Sequence, residues 1–292
     1  MTGLRYVYAV CRPFRTPLQA QLTGVTGAPA ALLHHHGLVA VVSTVPEADF
    51  CEEALKAHLE DLDWLAATAR AHQGVVDALT TVTTPLPLRL ATVFRDDSAL
   101  RMMIEAREDD FRRLLDRLDG RVEWGVKVYL EPEPAEDEPA AAARPVSGRD
   151  YLRSRRERSH AQEERWQRAE RFAHSLHGRL AERAEDVRLH RPQNSALSGT
   201  TGQNVLNAAY LVPRAHSEEF VELVDRTKDE APGIRVELTG PWAAYSFSGE
   251  VSGEASGAED GAAAGTKTGA ESGTGSGAVT GAESGKGPGE GR

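Results

Sequence analysis

The sequence has 292 residues, of which 40% are hydrophobic and 27% charged, and its formal net charge is −10. This composition is typical of a soluble globular protein long enough to bury a core, and the acidic balance gives no support to binding of nucleic acid or anionic lipid by the whole chain. No stretch reaches the roughly 18 apolar residues of a membrane span, and no secretory signal pattern is present. We therefore expect a cytoplasmic protein.

The first half of the chain is predicted to combine strands and helices. The apolar stretch "LRYVYAVCR" at 4–12 predicts a buried strand, and 38–42 predicts a second strand after the turn-forming "HHHG". Apolar residues spaced by three and four predict helices over 48–72 and 97–118. Alternation in "RVEWGVKVYL" predicts a strand over 121–130.

A stretch rich in β-branched residues, 75–94, lies between the two predicted helices. Pro85 and Pro87 cannot donate to a ladder, so this stretch is expected at an edge, a bulge or a strand entrance. The resulting order is strand, strand, helix, strand, helix, strand. It predicts a small open sheet with helices on one face, a variation on the ferredoxin-like plan, as an N-terminal domain over 1–130.

The second half is predicted to be a separate α+β domain. Residues 131–147 form a Pro/Ala/acidic linker without periodicity. Beyond it, 148–248 is expected to hold a long helix to about His190, with coiled-coil-like spacing of apolar residues over 166–187. The helix is followed by a strand over about 203–212, a helix with Ser217 as N-cap, and two final strands joined by a Gly-Pro turn.

The last 44 residues, 249–292, are rich in glycine, serine, alanine and glutamate and contain no aromatic residue. Such a segment cannot bury enough apolar surface to offset the entropy of ordering. We predict that this low-complexity tail is disordered.

No metal site or reactive cysteine is predicted. Cys11 and Cys51 lie in predicted core elements without a paired motif, which favours two buried reduced thiols. The run His34–His36 is interpreted as a polar turn rather than a metal site, because consecutive side chains point apart in a strand or helix. His174 and His177 are three apart on the long helix, but no third ligand is spaced to complete a zinc shell.

Catalytic, nucleotide and nucleic-acid sites are not predicted either. "SGTTGQN" at 198–204 lacks the lysine and the preceding strand of a P-loop, and no GxSxG elbow is present. The acid pairs Asp109/Asp110 and Glu163/Glu164 lie on helix faces expected to be solvated. Arginines are frequent between Arg149 and Arg191, but acids alternate with them at helical spacings, which favours a solvated or protein-docking face over RNA binding.

Three aromatic residues cluster in "TGPWAAYSF" at 239–247: Trp242, Tyr245 and Phe247. We interpret Gly240-Pro241 as a turn and the aromatic residues as part of a final strand that closes the core of the C-terminal domain. An exposed interaction patch is the alternative.

A set of collinear motifs resembles the gas vesicle accessory family GvpF/GvpL. They are "LRYVYAV" at the start, "PLPLRLATVF" at 85–94, "EWGVKVYL" at 123–130, "SGRDYLRSRRER" at 147–158, "NVLNAAYLVPR" at 204–214 and "IRVELTGPWAAYSF" at 234–247. Each motif alone is mainly a strand pattern, and the ordered set is what is specific. Two positions depart from the family: Ala243-Ala244 replaces a common Pro pair, and Ala91 stands where Gly is frequent.

The resemblance implies a cytoplasmic assembly factor for gas vesicles that is a minor vesicle component. It also implies an N-terminal modified ferredoxin-like domain and a C-terminal α+β domain with a long, coiled-coil-like helical element. The implied partners are the small hydrophobic shell protein GvpA, whose aggregation the factor limits while assisting nucleation, and other gas vesicle accessory proteins. No catalytic residue, cofactor or metal is implied, and the protein is expected not to be an enzyme.

Two other classes of function remain open from the sequence. Ferredoxin-like sheets often bind small ligands at their edges, so a ligand-sensing regulatory protein is one alternative. An RNA-binding protein that uses the arginine-rich helix is the other, and its binding would depend strongly on salt.

Overall fold

A computed structural model gives the fold and describes residues 3–15, 22–58, 60–132, 147–192, 202–228 and 230–249. The chain mixes helices and antiparallel sheets, as the sequence predicts. The predicted disordered tail after Gly249, most of the predicted linker and much of "SGTTGQN" lie outside the described residues.

The first sheet belongs to the N-terminal half. Its strand order is β2-β3-β1-β4, and a short strand, β5, also pairs with β1; all these pairings are antiparallel. The strands are β1 Gly3–Cys11, β2 Ala31–His35, β3 Leu38–Pro46, β4 Leu86–Pro87 and β5 Val93–Phe94. The sequence did not predict β2, and β3 continues past the predicted end of its strand.

The helices of this half are more divided than the periodicity predicts. Cys51 and Arg107 have non-helical backbone torsions and split the two predicted helices. The prediction for the first part of the stretch 75–94 is also wrong: Val75, Val76 and Leu79 are helical, because all three fill the core beneath the sheet. The helices are α1 Glu47–Phe50, α2 Glu52–His58, α3 Leu62–Thr80, α4 Asp97–Ala106 and α5 Glu108–Leu118.

The second sheet has the strand order β7-β8-β6-β9 and is also antiparallel. Its strand β6 is the one predicted to complete the first sheet, and that assignment is wrong: β6 lies at the centre of the second sheet, between β8 and β9. The elements are β6 Arg121–Leu130, α6 Gly148–Ala181, β7 Asp186–Leu189, β8 Gln203–Pro213, α7 Ser217–Thr227 and β9 Ile234–Trp242.

This second half has the β-α-β-β-α-β connectivity and strand order of the ferredoxin-like plan. The first sheet shares the strand order, but the described part of its β1–β2 connection contains one 3₁₀ turn, Val25–Gly27, where that plan has a helix. That the N-terminal half is a modified ferredoxin-like domain therefore stays a prediction. The proposed division into domains at 131–147 stays a prediction as well.

Helix α6 differs from its prediction in length and in packing. It ends at Ala181, and 186–189 is strand rather than helix. Its buried residues pack on the second sheet together with α7, so the three-and-four spacing marks an amphipathic stripe on a sheet rather than a coiled coil. Those residues are Ala169, Ala173, Leu176 and Leu180.

Among the described residues, three apolar clusters hold the fold together. One lies between the first sheet and α3, and another lies between the second sheet and α6 with α7. The third contains residues of the first sheet, of α4 and α5, and of β8 in the second sheet, so both sheets contribute to one core. Its members from the second half of the chain are Ala209, Leu211, Ala244 and Phe247.

Candidate interaction surfaces

The outer strands of the two sheets differ in how they are protected against pairing with another chain. Natural proteins block exposed edges with charges, prolines or a cover. Strand β7 carries Asp186 and Arg188, and β9 carries Arg235, Glu237 and Pro241. Strand β2, "ALLHH", contains no acidic residue, lysine, arginine or proline. In the described part of the chain β2 pairs only with β3, so its other side is a free edge.

The geometry of the β2–β3 hairpin fixes which groups face that free edge. His36 and Gly37 form its two-residue turn, with φ of 48° and 71°, and His35 pairs with Leu38. This is the signature of a type I′ turn, in which the flanking pair exchanges hydrogen bonds. Because hydrogen-bonded and non-bonded pairs alternate, the backbone N–H and C=O groups of Leu32 and His34 point away from β3. Leu32 is also 37% exposed.

A groove of about 380 Å³ runs beside this edge, between the first sheet and α4. Leu33 and Val42, both almost fully buried, form part of its apolar lining. Arg5 and Asp97 line it with an ion pair. We call β2 and this groove the β2 edge site. It offers main-chain pairing next to a surface with apolar and charged parts.

The edge that the sequence singled out is a different one. Pro85 and Pro87 do mark an outer strand, since β4 is the last strand of the first sheet. However, 85–88 is buried, and Leu86 and Leu88 belong to the core shared with α5. This covered edge is a poor docking place, and β2 replaces it as the candidate.

A second surface is the first half of α6. From Gly148 to Glu164 almost every residue is exposed, including Tyr151 and Leu152, while burial begins near Trp166. A helix of 34 residues is about 50 Å long, and roughly half of it packs on no core formed by the described residues. Arginines are frequent here, as the sequence indicates.

The histidines and cysteines are placed as follows. Cys11 is buried and Cys51 half-buried, both as free thiols, and burial raises the pKa of Cys11 to about 12. His177 is hydrogen-bonded through Nδ1 to the Tyr210 hydroxyl at 2.9 Å, whereas His174 is exposed. The expectation that neighbouring histidines point apart is wrong for one pair of the run: the rings of His35 and His36 stack with centroids 4.2 Å apart.

The aromatic segment at the end of β9 closes the N-terminal half rather than the C-terminal one. Phe247 is buried in the core beneath α4 and α5, and Tyr245 packs against the cluster beneath α3. Both lie in a 3₁₀ turn, Tyr245–Phe247, not in the predicted strand. Trp242 is 37% exposed at the end of β9, so it is the one aromatic of the three that faces outward.

A buried carboxylate holds this segment in place. Glu123 on β6 accepts hydrogen bonds from the Ser246 backbone N–H at 2.8 Å and from its hydroxyl at 2.7 Å. Burial raises the pKa of Glu123, and these two hydrogen bonds oppose the shift. Gly240 comes so close to the Glu123 carbonyl that a Cβ would lie 2.8 Å from that oxygen, which requires glycine there.

Sequence reasoning missed a buried polar cluster beneath the first sheet. The Tyr6 hydroxyl is 3.0 Å from Nδ1 of His72 and also accepts from the Ala91 N–H, while the Tyr8 hydroxyl donates to Ser43. Burial lowers the pKa of His72 to about 4, so the imidazole is neutral at physiological pH. In the sequence, Tyr6 and Tyr8 alternate on one face of the first strand, which is the one sign of buried hydroxyl groups there. Their partner His72 lies 66 residues after Tyr6, so no local pattern connects it to them.

Comparisons with known proteins agree on one family. A family model described as gas vesicle synthesis protein GvpL/GvpF matches residues 4–249. The chain is 58% identical over 249 residues to gas vesicle protein L of Streptomyces sp. (strain CB03234), covering 84% of this chain and 93% of that protein. Identity to gas vesicle protein F of the same strain is 26% over 252 residues, covering 83% of this chain and 98% of that protein.

Two solved structures share the fold. The crystal structure of GvpF from Microcystis aeruginosa aligns with a TM-score of 0.59 at 18% identity, covering 85% of this chain and 99% of that one. The crystal structure of GvpF from Anabaena sp. PCC7120 aligns with a TM-score of 0.61 at 16% identity, covering 84% of this chain and 96% of that one. Among the residues described, no helix has the length and apolar character needed to cross a bilayer.

Proposed function

The chain belongs to the GvpL/GvpF family of gas vesicle synthesis proteins, and from this premise we propose that it binds the hydrophobic shell protein GvpA through the β2 edge site. In this proposal it acts in the cytoplasm as an assembly factor, limits aggregation of the shell protein, assists nucleation and stays in the vesicle as a minor component. It works by binding rather than by catalysis, and other gas vesicle accessory proteins are further partners.

The free edge of β2 is the observation that carries the proposal. A hydrophobic subunit that has not yet joined a shell exposes apolar surface and unpaired strand edges, both of which promote aggregation. Addition of a strand to an open sheet edge satisfies the main-chain groups, and neighbouring pockets take the side chains. In this chain the outward-facing backbone groups of Leu32 and His34 are available for main-chain pairing. The groove lined by Leu33 and Val42 is the neighbouring pocket for side chains.

A lysine at the edge should block such pairing without harming the fold. In co-expression with GvpA we expect Leu32→Lys to reduce the shell protein recovered with the purified chain about tenfold, equivalent to about 1.4 kcal/mol. Leu189→Lys is the matched control, because Leu189 is an apolar, 65% exposed residue on the outer strand β7 of the other sheet. It should recover as much shell protein as the parent.

Equal recovery with both variants would contradict the β2 edge site. Absence of recovery with the parent chain, together with normal vesicle formation in a deletion strain, would contradict GvpA binding itself. The alternative functions predict different signals: a metabolite-dependent rise in Tm for a sensor, and salt-dependent binding of generic RNA by the arginine-rich part of α6.

A further inference from the structure

The turn of the β2–β3 hairpin brings metal-binding side chains together next to α4. His36 has a left-handed backbone, with φ of 48°, so its ring does not continue the alternation of strand β2. The rings of His35 and His36 instead stack at an interplanar angle of 21°. Nitrogen atoms of both rings and a carboxylate oxygen of Glu105 on α4 all lie within 4.8 Å of one another.

One ligand atom of this group has no hydrogen-bond partner among the described residues. Nε2 of His35 is buried there, and Oε2 of Glu105 is 4.0 Å away. That separation is too long for a hydrogen bond. Two ligands of a tetrahedral zinc ion are about 3.4 Å apart, given metal–ligand distances of about 2.0–2.1 Å. The 4.0 Å between Nε2 of His35 and Oε2 of Glu105 exceeds this spacing by about 0.6 Å, and Glu105 is an exposed residue.

The surroundings also orient the second histidine as in known metal sites. Nδ1 of His36 lies 2.7 Å from Oε2 of Glu108, which leaves its Nε2 available to an ion. Arg112 donates to Glu108 at 2.9 Å and to the His36 carbonyl at 2.6 Å, so it holds both the carboxylate and the turn in place. A carboxylate behind a ligating histidine fixes its tautomer and raises its basicity.

We propose that His35, His36 and Glu105 bind a divalent transition-metal ion such as zinc, with Glu108 supporting His36 from behind. Two imidazoles and one carboxylate are a ligand set that zinc accepts, and the exposed side of the cluster leaves a fourth position for water. The ion links the hairpin turn to α4. His35 belongs to β2, but this inference does not rest on the proposed binding of a shell protein, and its test needs no partner protein.

The test is zinc titration of untagged, metal-free protein by isothermal calorimetry. We expect one zinc ion per chain with the parent, no such binding with His35→Ala or Glu105→Gln, and an affinity about 10–100-fold weaker with Glu108→Gln. His34→Ala is the matched control, since His34 is the adjacent exposed histidine outside the cluster, and it should bind zinc like the parent.

Three results would overturn the site. They are no zinc binding by the parent chain, unchanged binding by Glu105→Gln, and an equal loss with His34→Ala, which would mean that the histidine run chelates as a flexible tag does. Thermal melting of each variant without metal checks folding. Because Glu105 is exposed, its variant remains informative if His35→Ala unfolds.

Discussion

At the scale of single residues, the segment after β9 separates core from surface. Phe247 is 1% exposed in the core shared by both sheets, whereas Trp242 is 37% exposed. We expect Phe247→Ala to lower the free energy of unfolding by about 3–5 kcal/mol. Trp242→Ala should lose less than about half of that amount. Urea unfolding of the two variants shows which one loses more stability. A larger loss for Trp242→Ala than for Phe247→Ala would contradict the assignment of Phe247 to the core and Trp242 to the surface.

His72 gives a pH dependence with a definite sign. Its pKa falls from 6.5 to about 4 on folding, because burial disfavours the imidazolium. The unfolded chain therefore binds more protons between these values, and stability present above pH 6.5 is lost as pH falls toward 4. A shift of this size corresponds to about 3 kcal/mol.

Unfolding of the parent and of His72→Gln at pH 6.5 and pH 4.5 isolates this contribution. The variant lacks the titrating ring, so its loss of stability between the two pH values should be smaller. Parallel losses in both proteins would show that His72 does not carry the effect.

Residue-level reasoning from the sequence also has a clear limit at the histidine run. Within strand β2, successive side chains point to opposite faces of the sheet, so those of His34 and His35 point apart. This alternation fails at His36, because the turn needs a left-handed backbone that a period-two pattern does not contain. Glu105 lies far along the chain, so no local pattern connects it to the histidines.

At the scale of elements, periodicity predicts the long helices and most strands. It places β1, β6 and α7 well along the chain: β1 is apolar and buried on both faces, β6 carries an alternating pattern, and α7 buries one helical face. It fails for Val75, Val76 and Leu79, whose β-branched neighbourhood favours strand until tertiary packing selects a helix. It also missed β2, because a strand of five residues at an edge has little alternation to detect.

Helix α6 also shows that periodicity does not identify the packing partner of an apolar face. The spacing of its apolar residues is correct for Ala169 to Leu180, but spacing alone does not tell a partner helix from a sheet. The exposed half from Gly148 to Glu164 has no such stripe and packs on no core in the described part of the chain. The sequence thus indicates which face is apolar, while the fold decides what covers it.

At the scale of the whole molecule, the two sheets repeat one strand order and share a central core. Order 2-3-1-4 occurs in each, with β6 serving the second sheet rather than the first. The sequence could not show this, because an alternating strand fits either sheet equally well until its partners β8 and β9 are known. The end of β9 then returns to the N-terminal half through Tyr245 and Phe247.

The central claim is that a shell protein adds a strand to β2, and amide hydrogen exchange of the chain with and without GvpA tests it most directly. The N–H groups of Leu32 and His34 face away from β3, so binding should slow their exchange strongly. Those of Leu33 and His35 already bond to β3 and should change little. Protection confined to the exposed half of α6, or absent from β2, would contradict the account.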